Sequence, residues 1–311
     1  MAQPINKTLI LAGKIIFTSA LVLFFVWKIA GIIGSLDEVK AKAKVYSLNR
    51  VMPSSYKYLA EIRNKGTVAD PDKLRQYIVY YEKMVEVMPT VPAGYGLLGY
   101  CYYHAGDYQK AELNYLKAIK LNPDFFWYYY NLGIIYYRTG DYNKAVNAFH
   151  FALKSNPKNA LVYVSKSNMI YLPVISGQIK TMDKLQEVTV GAYKELYVLL
   201  TDTYFKLNQF SQVISLSSEA LNNDHPFKDF YCYKIGRAAY ELKNYKQAVI
   251  FFEKAIEYNP ESADAYYHLG LSLKAVNEEE VALKALQKAA VLKNQNNQPI
   301  PIEQTIELQT F

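Results

Sequence analysis

A spacing of 34 residues recurs along this chain of 311 residues and constrains its fold more than any other feature. The pairs of residues that mark this spacing are Gly99 and Gly133, Ala111 and Ala145, Pro123 and Pro157, Gly236 and Gly270, and Ala248 and Ala282. A fixed period of this length indicates an array of helical repeats. Because a unit of two short helices cannot bury its apolar faces alone, neighbouring units stack and offer an extended surface for binding.

Eight positions within each period carry a resemblance to a known family. Residues 92–125 place Tyr95, Leu98, Gly99, Tyr102, Ala111, Tyr115, Ala118 and Pro123 there. Residues 126–159 place Tyr129, Leu132, Gly133, Tyr136, Ala145, Phe149, Ala152 and Pro157 there, and residues 229–262 and 263–296 keep most of the pattern. The pattern resembles the tetratricopeptide repeat (TPR) family, which implies an all-α solenoid of helix-turn-helix units wound as a right-handed superhelix.

The rest of the chain is arranged around these four units. Residues 194–228 predict a weaker unit, and residues 160–193 predict a degenerate one, because Pro173 and Gly177 interrupt its helical pattern. Residues 35–91 are interpreted as a juxtamembrane helix and a divergent repeat. Residues 297–311 abandon the helical pattern for an extended one with prolines. The predicted solenoid therefore covers residues 92–296 and ends in an extended tail.

Residues 1–34 predict an amino-terminal tail and a membrane anchor. Residues 8–33 contain no acidic residue and only two basic ones, Lys14 and Lys28. About 20 apolar residues span the ~30 Å core of a bilayer, and lysines near the ends of a span can extend to the headgroups. Residues 8–33 can thus form one tilted transmembrane helix. A cleaved signal peptide is the alternative, but Lys28 separates the apolar core from the small residues that a cleavage site needs.

The side of the membrane is not decided by charge counts, since basic residues are nearly balanced around the span. The positive charges are Lys7, Lys14 and the amino terminus on one side and Lys40, Lys42, Lys44 and Arg50 on the other. A short basic amino-terminal tail is the usual layout of a signal anchor that sends its carboxy-terminal domain across a bacterial inner membrane. This layout favours a single-pass inner-membrane protein with a periplasmic solenoid.

The net charge of +7 does not predict nucleic-acid binding. The first 50 residues contain seven basic and two acidic residues, which leaves a net charge of only +2 for the remaining 261. A nearly neutral solenoid lacks the basic stripe that follows a phosphate backbone. We therefore expect protein partners and no nucleic acid.

The sequence offers no pattern that supports catalysis, a cofactor or a metal. Residues 94–99 match the glycine spacing of a dinucleotide site, but no strand precedes them. The four histidines lack the spacing of metal ligands. Cys101 and Cys232 fall in distant units, which predicts two free thiols because units of a solenoid touch only their neighbours. We expect a protein that is not an enzyme.

The candidate binding site is the groove that the resemblance implies. In the TPR family the groove is lined by positions 2, 5, 9, 12 and 13 of each unit. In this chain these positions carry eleven aromatic residues: Tyr100, Tyr103, Trp127, Tyr130, Tyr137, Tyr171, Phe205, Phe230, Tyr233, Tyr240 and Tyr267. If these rings stay partly open, their summed area exceeds the few hundred Å² of apolar patch that is usual for soluble monomers. We therefore expect a filled groove.

Two occupants and three functions remain open at this point, the third function being a regulatory or targeting subunit of an enzyme. The occupant is either a segment of a partner protein or the chain's own tail, residues 297–311, docked on this or another solenoid. The first function is a membrane-anchored scaffold that holds or assembles a multiprotein membrane complex. The alternative is a membrane-tethered chaperone or receptor that captures segments of client proteins. A tight stoichiometric partner favours the first, and many weak clients favour the second.

Overall fold

A computed structural model of the chain describes residues 71–155 and 182–295, with side chains described over 71–155 and 193–293. Within these ranges all regular structure is α-helical and forms eleven helices. They are α1 (Pro71–Val87), α2 (Pro92–His104), α3 (Tyr108–Leu121), α4 (Phe126–Thr139), α5 (Tyr142–Lys154), α6 (Met182–Lys206), α7 (Phe210–Asn222), α8 (Lys228–Glu241), α9 (Tyr245–Tyr258), α10 (Ala263–Ala275) and α11 (Glu279–Gln295).

The helices pair as the repeat pattern predicts. The pairs α2 with α3, α4 with α5, α8 with α9, and α10 with α11 form the four units that carry the strongest pattern. The second helix of a unit also packs on the first helix of the next, as α3 does on α4 and α9 does on α10. The prediction of an all-α solenoid is confirmed for the described residues, and the handedness of its superhelix stays a prediction.

The membrane prediction falls on residues outside this description. None of the helices within residues 71–155 and 182–295 is both long and apolar enough to cross a membrane. The predicted span at residues 8–33, most of the region 35–91 and the tail 297–311 are not among the described residues.

The recurring glycine of each unit lies where its two helices cross. A Cβ atom added to Gly133 would lie 2.4 Å from the ring of Phe149, and one added to Gly236 would lie 2.8 Å from the ring of Phe252. Both phenylalanines are fully buried. A side chain in place of either glycine therefore has to displace a ring from a close-packed interior. Glycine at this position therefore permits the close crossing of the two helices.

The two Gly-Asp-Tyr sequences, at 106–108 and 140–142, form the turns inside their units. Gly106 and Gly140 have φ angles of 79° and 81°, in the left-handed region that favours glycine. The carboxylate of Asp107 then accepts a hydrogen bond of 3.0 Å from the backbone N–H of Lys110 and caps the start of α3. These turns fix the first helix of a unit antiparallel to the second.

A tyrosine at one repeated position ties two first helices, α2 and α4, to the preceding second helix. The hydroxyl of Tyr136 on α4 donates to Glu112 on α3 at 2.7 Å. Tyr102 on α2, 34 residues earlier, donates in the same way to Glu82 on α1. Helix α1 thus occupies the place of a second helix, and the divergent repeat within residues 35–91 stays a prediction.

Helix α6 crosses one predicted boundary. It runs without a break from Met182 to Lys206, through the predicted division between the units 160–193 and 194–228. The helix contains no proline, and its one glycine, Gly191, costs only about 1 kcal/mol relative to alanine. Helix α6 packs directly against α5 of the unit 126–159. Among the described helices, α6 is therefore the first helix that packs on α5.

Candidate functional site on the inner face

The inner face, defined here by positions 2, 5, 9, 12 and 13 of the first helices α2, α4, α6, α8 and α10, differs between its two ends. Tyr171 lies outside the described residues. Five of the other ten predicted aromatic residues are buried, namely Tyr100, Tyr103, Trp127, Tyr130 and Phe230. Four are half-buried, namely Tyr137, Phe205, Tyr233 and Tyr240. Tyr267 is 46% exposed. The five buried rings therefore leave almost no area open.

Tyr130 illustrates why the amino-terminal rings are buried. Its ring stacks on Phe126 at 5.7 Å between centroids and meets Trp127 edge-on at 5.4 Å. Its hydroxyl donates to Glu195 of α6 at 3.1 Å. Burial, with the nearby Glu195 carboxylate, raises the pKa of Tyr130 well above its ordinary value. The neighbouring first helix thus satisfies the ring's one polar atom, and Tyr130 belongs to the core.

Tyr100 and Tyr103 are held in a similar cluster on α2. The His104 ring lies 4.4 Å from that of Tyr100 and 5.1 Å from that of Tyr103. The Arg138 guanidinium lies 5.5 Å from the centre of the Tyr103 ring, a cation–π contact between α4 and α2. These contacts join two successive first helices. The amino-terminal end of the inner face is therefore closed by packing.

A buried ion pair links three first helices in the middle of the inner face. Asp202 on α6 accepts hydrogen bonds from the Tyr137 hydroxyl on α4 and from the Lys234 ammonium on α8. The side chains of Lys234 and Asp202 are only 12% and 9% exposed. Burial by itself would raise the pKa of Asp202, but Lys234 and the Tyr137 hydroxyl together hold it below its ordinary value. This ion pair sets the spacing of α4, α6 and α8.

The carboxy-terminal patch, defined as Phe205, Tyr233, Arg237, Tyr240 and Tyr267, is the open part of the inner face. The Arg237 guanidinium lies 5.1 Å from the centre of the Phe205 ring and donates to the Tyr233 hydroxyl at 3.3 Å. The patch is continuous across α6, α8 and α10, because the ring of His268 lies 5.7 Å from that of Tyr233 and 5.1 Å from that of Tyr267. The open surface combines aromatic rings with one positive charge.

Two polar residues of this face were missed by the sequence analysis. Asp202 and Arg237 both occupy position 9 of their units, which is a groove position. The selection of aromatic residues alone passed over them. Listing every residue at the five groove positions, whatever its chemistry, would have found both.

Two classes of reactive side chain can be placed within the described residues. Within residues 71–155 and 182–295, no group of three or more histidine, cysteine or acidic side chains could hold a metal ion. Cys101 and Cys232 are free and buried, as predicted for two thiols in distant units. Burial raises the pKa of Cys232 to about 11, so its thiol stays protonated at neutral pH.

The lowered pKa values of the histidines predict how the stability of the fold depends on pH. Burial, and after it the charge of Arg138, lowers the pKa of His104 from 6.5 to about 4. Burial also lowers the pKa values of His150, His225 and His268. As pH falls below 6.5, the unfolded chain binds these protons first, so stability decreases with falling pH. We expect the thermal unfolding midpoint to be highest above about pH 7 and to fall from about pH 6.5 to about pH 4.

The variant His104→Gln serves as the matched control for this pH dependence. Glutamine does not titrate, so the midpoint of the variant should fall less steeply with pH than that of the unchanged chain over the same interval. Equal slopes for the two proteins would show that His104 is not protected from protonation in the folded chain.

Comparisons with known proteins agree with this geometry. A family profile described as "TPR repeat" matches residues 99–140 and 236–276. A second profile, described as "Tetratricopeptide repeat", matches residues 126–159. Among curated proteins, no sequence matches the chain. The profile matches coincide with the units that carry the strongest pattern, and the chain therefore contains TPR repeats.

Solved structures share the fold at low sequence identity. YrrB, described as a TPR protein with an unusual peptide-binding site, has 18% identity and a TM-score of 0.50, and the match covers 70% of this chain and 94% of YrrB. The protein pilF of Pseudomonas aeruginosa has 12% identity and a TM-score of 0.50, with coverage of 83% and 97%. MamA has 19% identity and a TM-score of 0.49, with coverage of 64% and 95%. These similarities concern the fold alone.

Proposed function

We propose that this protein is a non-enzymatic TPR scaffold that binds partner proteins through the carboxy-terminal patch and holds them in a multiprotein membrane complex. The observation that supports this function is the patch itself. Its four aromatic rings and one guanidinium reach solvent from three successive first helices, whereas the rings at the amino-terminal end of the inner face are closed into the core. Aromatic residues and arginine dominate the energetics of protein interfaces.

The geometry of the patch suits a segment that crosses the first helices. Packed helices lie about 8–10 Å apart, so successive rings contact a crossing segment at separate points. Arg237 is 24% exposed and is oriented by the Tyr233 hydroxyl and by Glu241, whose carboxylate lies 3.7 Å away. Its guanidinium can donate to a carbonyl or a carboxylate of the bound segment. YrrB, described as having a peptide-binding site, shows the same fold.

The membrane part of the proposal rests on the sequence. Residues 8–33 supply one uncleaved span, in a bacterial inner membrane, with the solenoid on the periplasmic side. Retention of the full chain in carbonate-washed membranes, with release of a chain that lacks residues 1–34, would support the anchor. A mature amino terminus near Gly34 would show instead that the segment is a cleaved signal peptide.

Site-specific photo-crosslinking in native membranes tests the binding surface. A photoreactive phenylalanine derivative replaces Tyr240 or Tyr267 in the patch and, as a matched control, Leu113 on α3, which is 52% exposed. We expect one or a few proteins to be crosslinked in stoichiometric yield from the patch and not from position 113. Equal products from all three positions would refute the assignment of the surface. Many different products in low yield from the patch alone would favour the chaperone or receptor alternative.

A further inference from the structure

The outer face of α11 exposes apolar residues at repeat positions that are half-buried in earlier units. Leu283 is 57% exposed. Val146 and Val249 occupy the same place in their units, position 21, and both are half-buried against the core. Their cover comes from the packing of each second helix on the first helix of the unit that follows.

A second position on α11 shows the same difference. Ala290 is exposed, whereas Leu153 and Ile256, at the same position 28 of their units, are half-buried against the core. Leu283 and Ala290 are seven residues apart, which places them on one side of the helix two turns apart. Helix α11 therefore presents the face on which a further first helix would pack, and no described helix follows it.

The sequence that follows α11 has the pattern of an extended segment with one apolar side. Side chains of an extended chain alternate between two faces. In such a conformation Ile300, Ile302, Ile306 and Leu308 would share one face, and Glu303, Thr305 and Glu307 would share the other. The prolines at 299 and 301 disfavour a helix here. The segment also contains no basic residue, while α11 carries Lys284, Lys288 and Lys293.

The length of this segment is sufficient to reach the exposed face. Leu283 precedes the last residue of α11, Gln295, by 12 residues, or about 18 Å at 1.5 Å per residue. Six extended residues span that distance at about 3.3 Å each, and 16 residues follow α11. Tethering raises the effective concentration of the segment to about the millimolar range, so a weak contact is sufficient for docking.

We propose that residues 296–311 pack in an extended conformation across the outer face of α11, with Leu283 and Ala290 beneath Ile300, Ile302, Ile306 and Leu308. The segment takes the place on α11 that the following first helix takes on the second helices of earlier units. The patch on the inner face stays open to partner proteins, because it lies on first helices and the docked segment covers a second helix.

Two changes in the full chain test this proposal. They are deletion of residues 297–311 and the substitution Leu283→Asp. Each is expected to increase amide hydrogen exchange in α11 by at least about tenfold, because the helix loses the packing on its outer face. The two changes combined are expected to have no effect beyond that of either alone, because both remove the same contact. Exchange that is unchanged by the deletion, or effects that add, would overturn the proposal.

Further variants separate docking from other causes. Ile306→Asp with Leu308→Asp keeps the chain length and should reproduce the deletion. Leu113→Asp introduces the same charge on the exposed surface of α3 and should leave the exchange of α11 unchanged. Light scattering should give the same oligomeric state for the full chain and the deletion variant. If the deletion converts a dimer into a monomer, the segment binds a second copy of the chain, and docking within one chain is wrong.

Discussion

Replacement of Gly133 by leucine should destabilise the protein by about 3 kcal/mol or more. A Cβ atom at this position already lies 2.4 Å from the buried Phe149 ring, so the larger side chain has to force α4 and α5 apart. A loss of this size corresponds to a fall in the thermal midpoint of roughly 6–12 °C for a domain of about 150–250 residues. Thermal unfolding followed by circular dichroism measures it.

Gly140→Asn is the matched control for this substitution. A Cβ atom at Gly140 has no atom within 4 Å, and asparagine tolerates the left-handed backbone conformation of this position better than most residues do. Its midpoint should stay close to that of the unchanged chain. A similar loss for both variants would show that backbone conformation, and not the helix crossing, makes glycine necessary at these sites.

Tyr130→Ala should destabilise the protein by about 3–5 kcal/mol, the range for removal of a large buried aromatic side chain. Tyr130 is 2% exposed, and its hydroxyl is bonded to Glu195 across two helices. Tyr267→Ala, at an equivalent groove position that is 46% exposed, should change the free energy of unfolding by less than about 1 kcal/mol. Denaturant titration of both variants measures the difference. Equal losses would contradict the division of the inner face into a closed and an open end.

The repeated pattern was sufficient to predict the paired helices, the turns and the glycine at each crossing. These features depend on contacts within one unit, such as that between Gly133 and Phe149, which a period of 34 residues repeats each time. The turns at Gly106 and Gly140 likewise depend only on residues within one unit. The contacts within one unit and the period of 34 residues therefore predict the same structure over α2 to α5 and over α8 to α11.

The burial of the groove rings could not be predicted in this way, because it depends on which helix comes next in space. Tyr130 bonds Glu195, and Tyr137 bonds Asp202, both at a separation of 65 residues. A regular array would place the neighbouring first helix about 34 residues away. The separation of 65 residues between the contacts of α4 and α6 departs from this regularity. The sequence therefore could not indicate which rings of the inner face stay open.

The central claim is that the carboxy-terminal patch is the surface that binds partner proteins. Its most direct test is the affinity of the solenoid for the protein crosslinked from positions 240 and 267, measured by calorimetry for Tyr240→Ala combined with Tyr267→Ala. Truncation of anchors at an interface centre costs about 2 kcal/mol or more, so the affinity should fall at least about thirtyfold. Leu113→Ala should leave it unchanged, and both proteins should stay folded. An affinity of the double variant equal to that of the unchanged chain would contradict the claim.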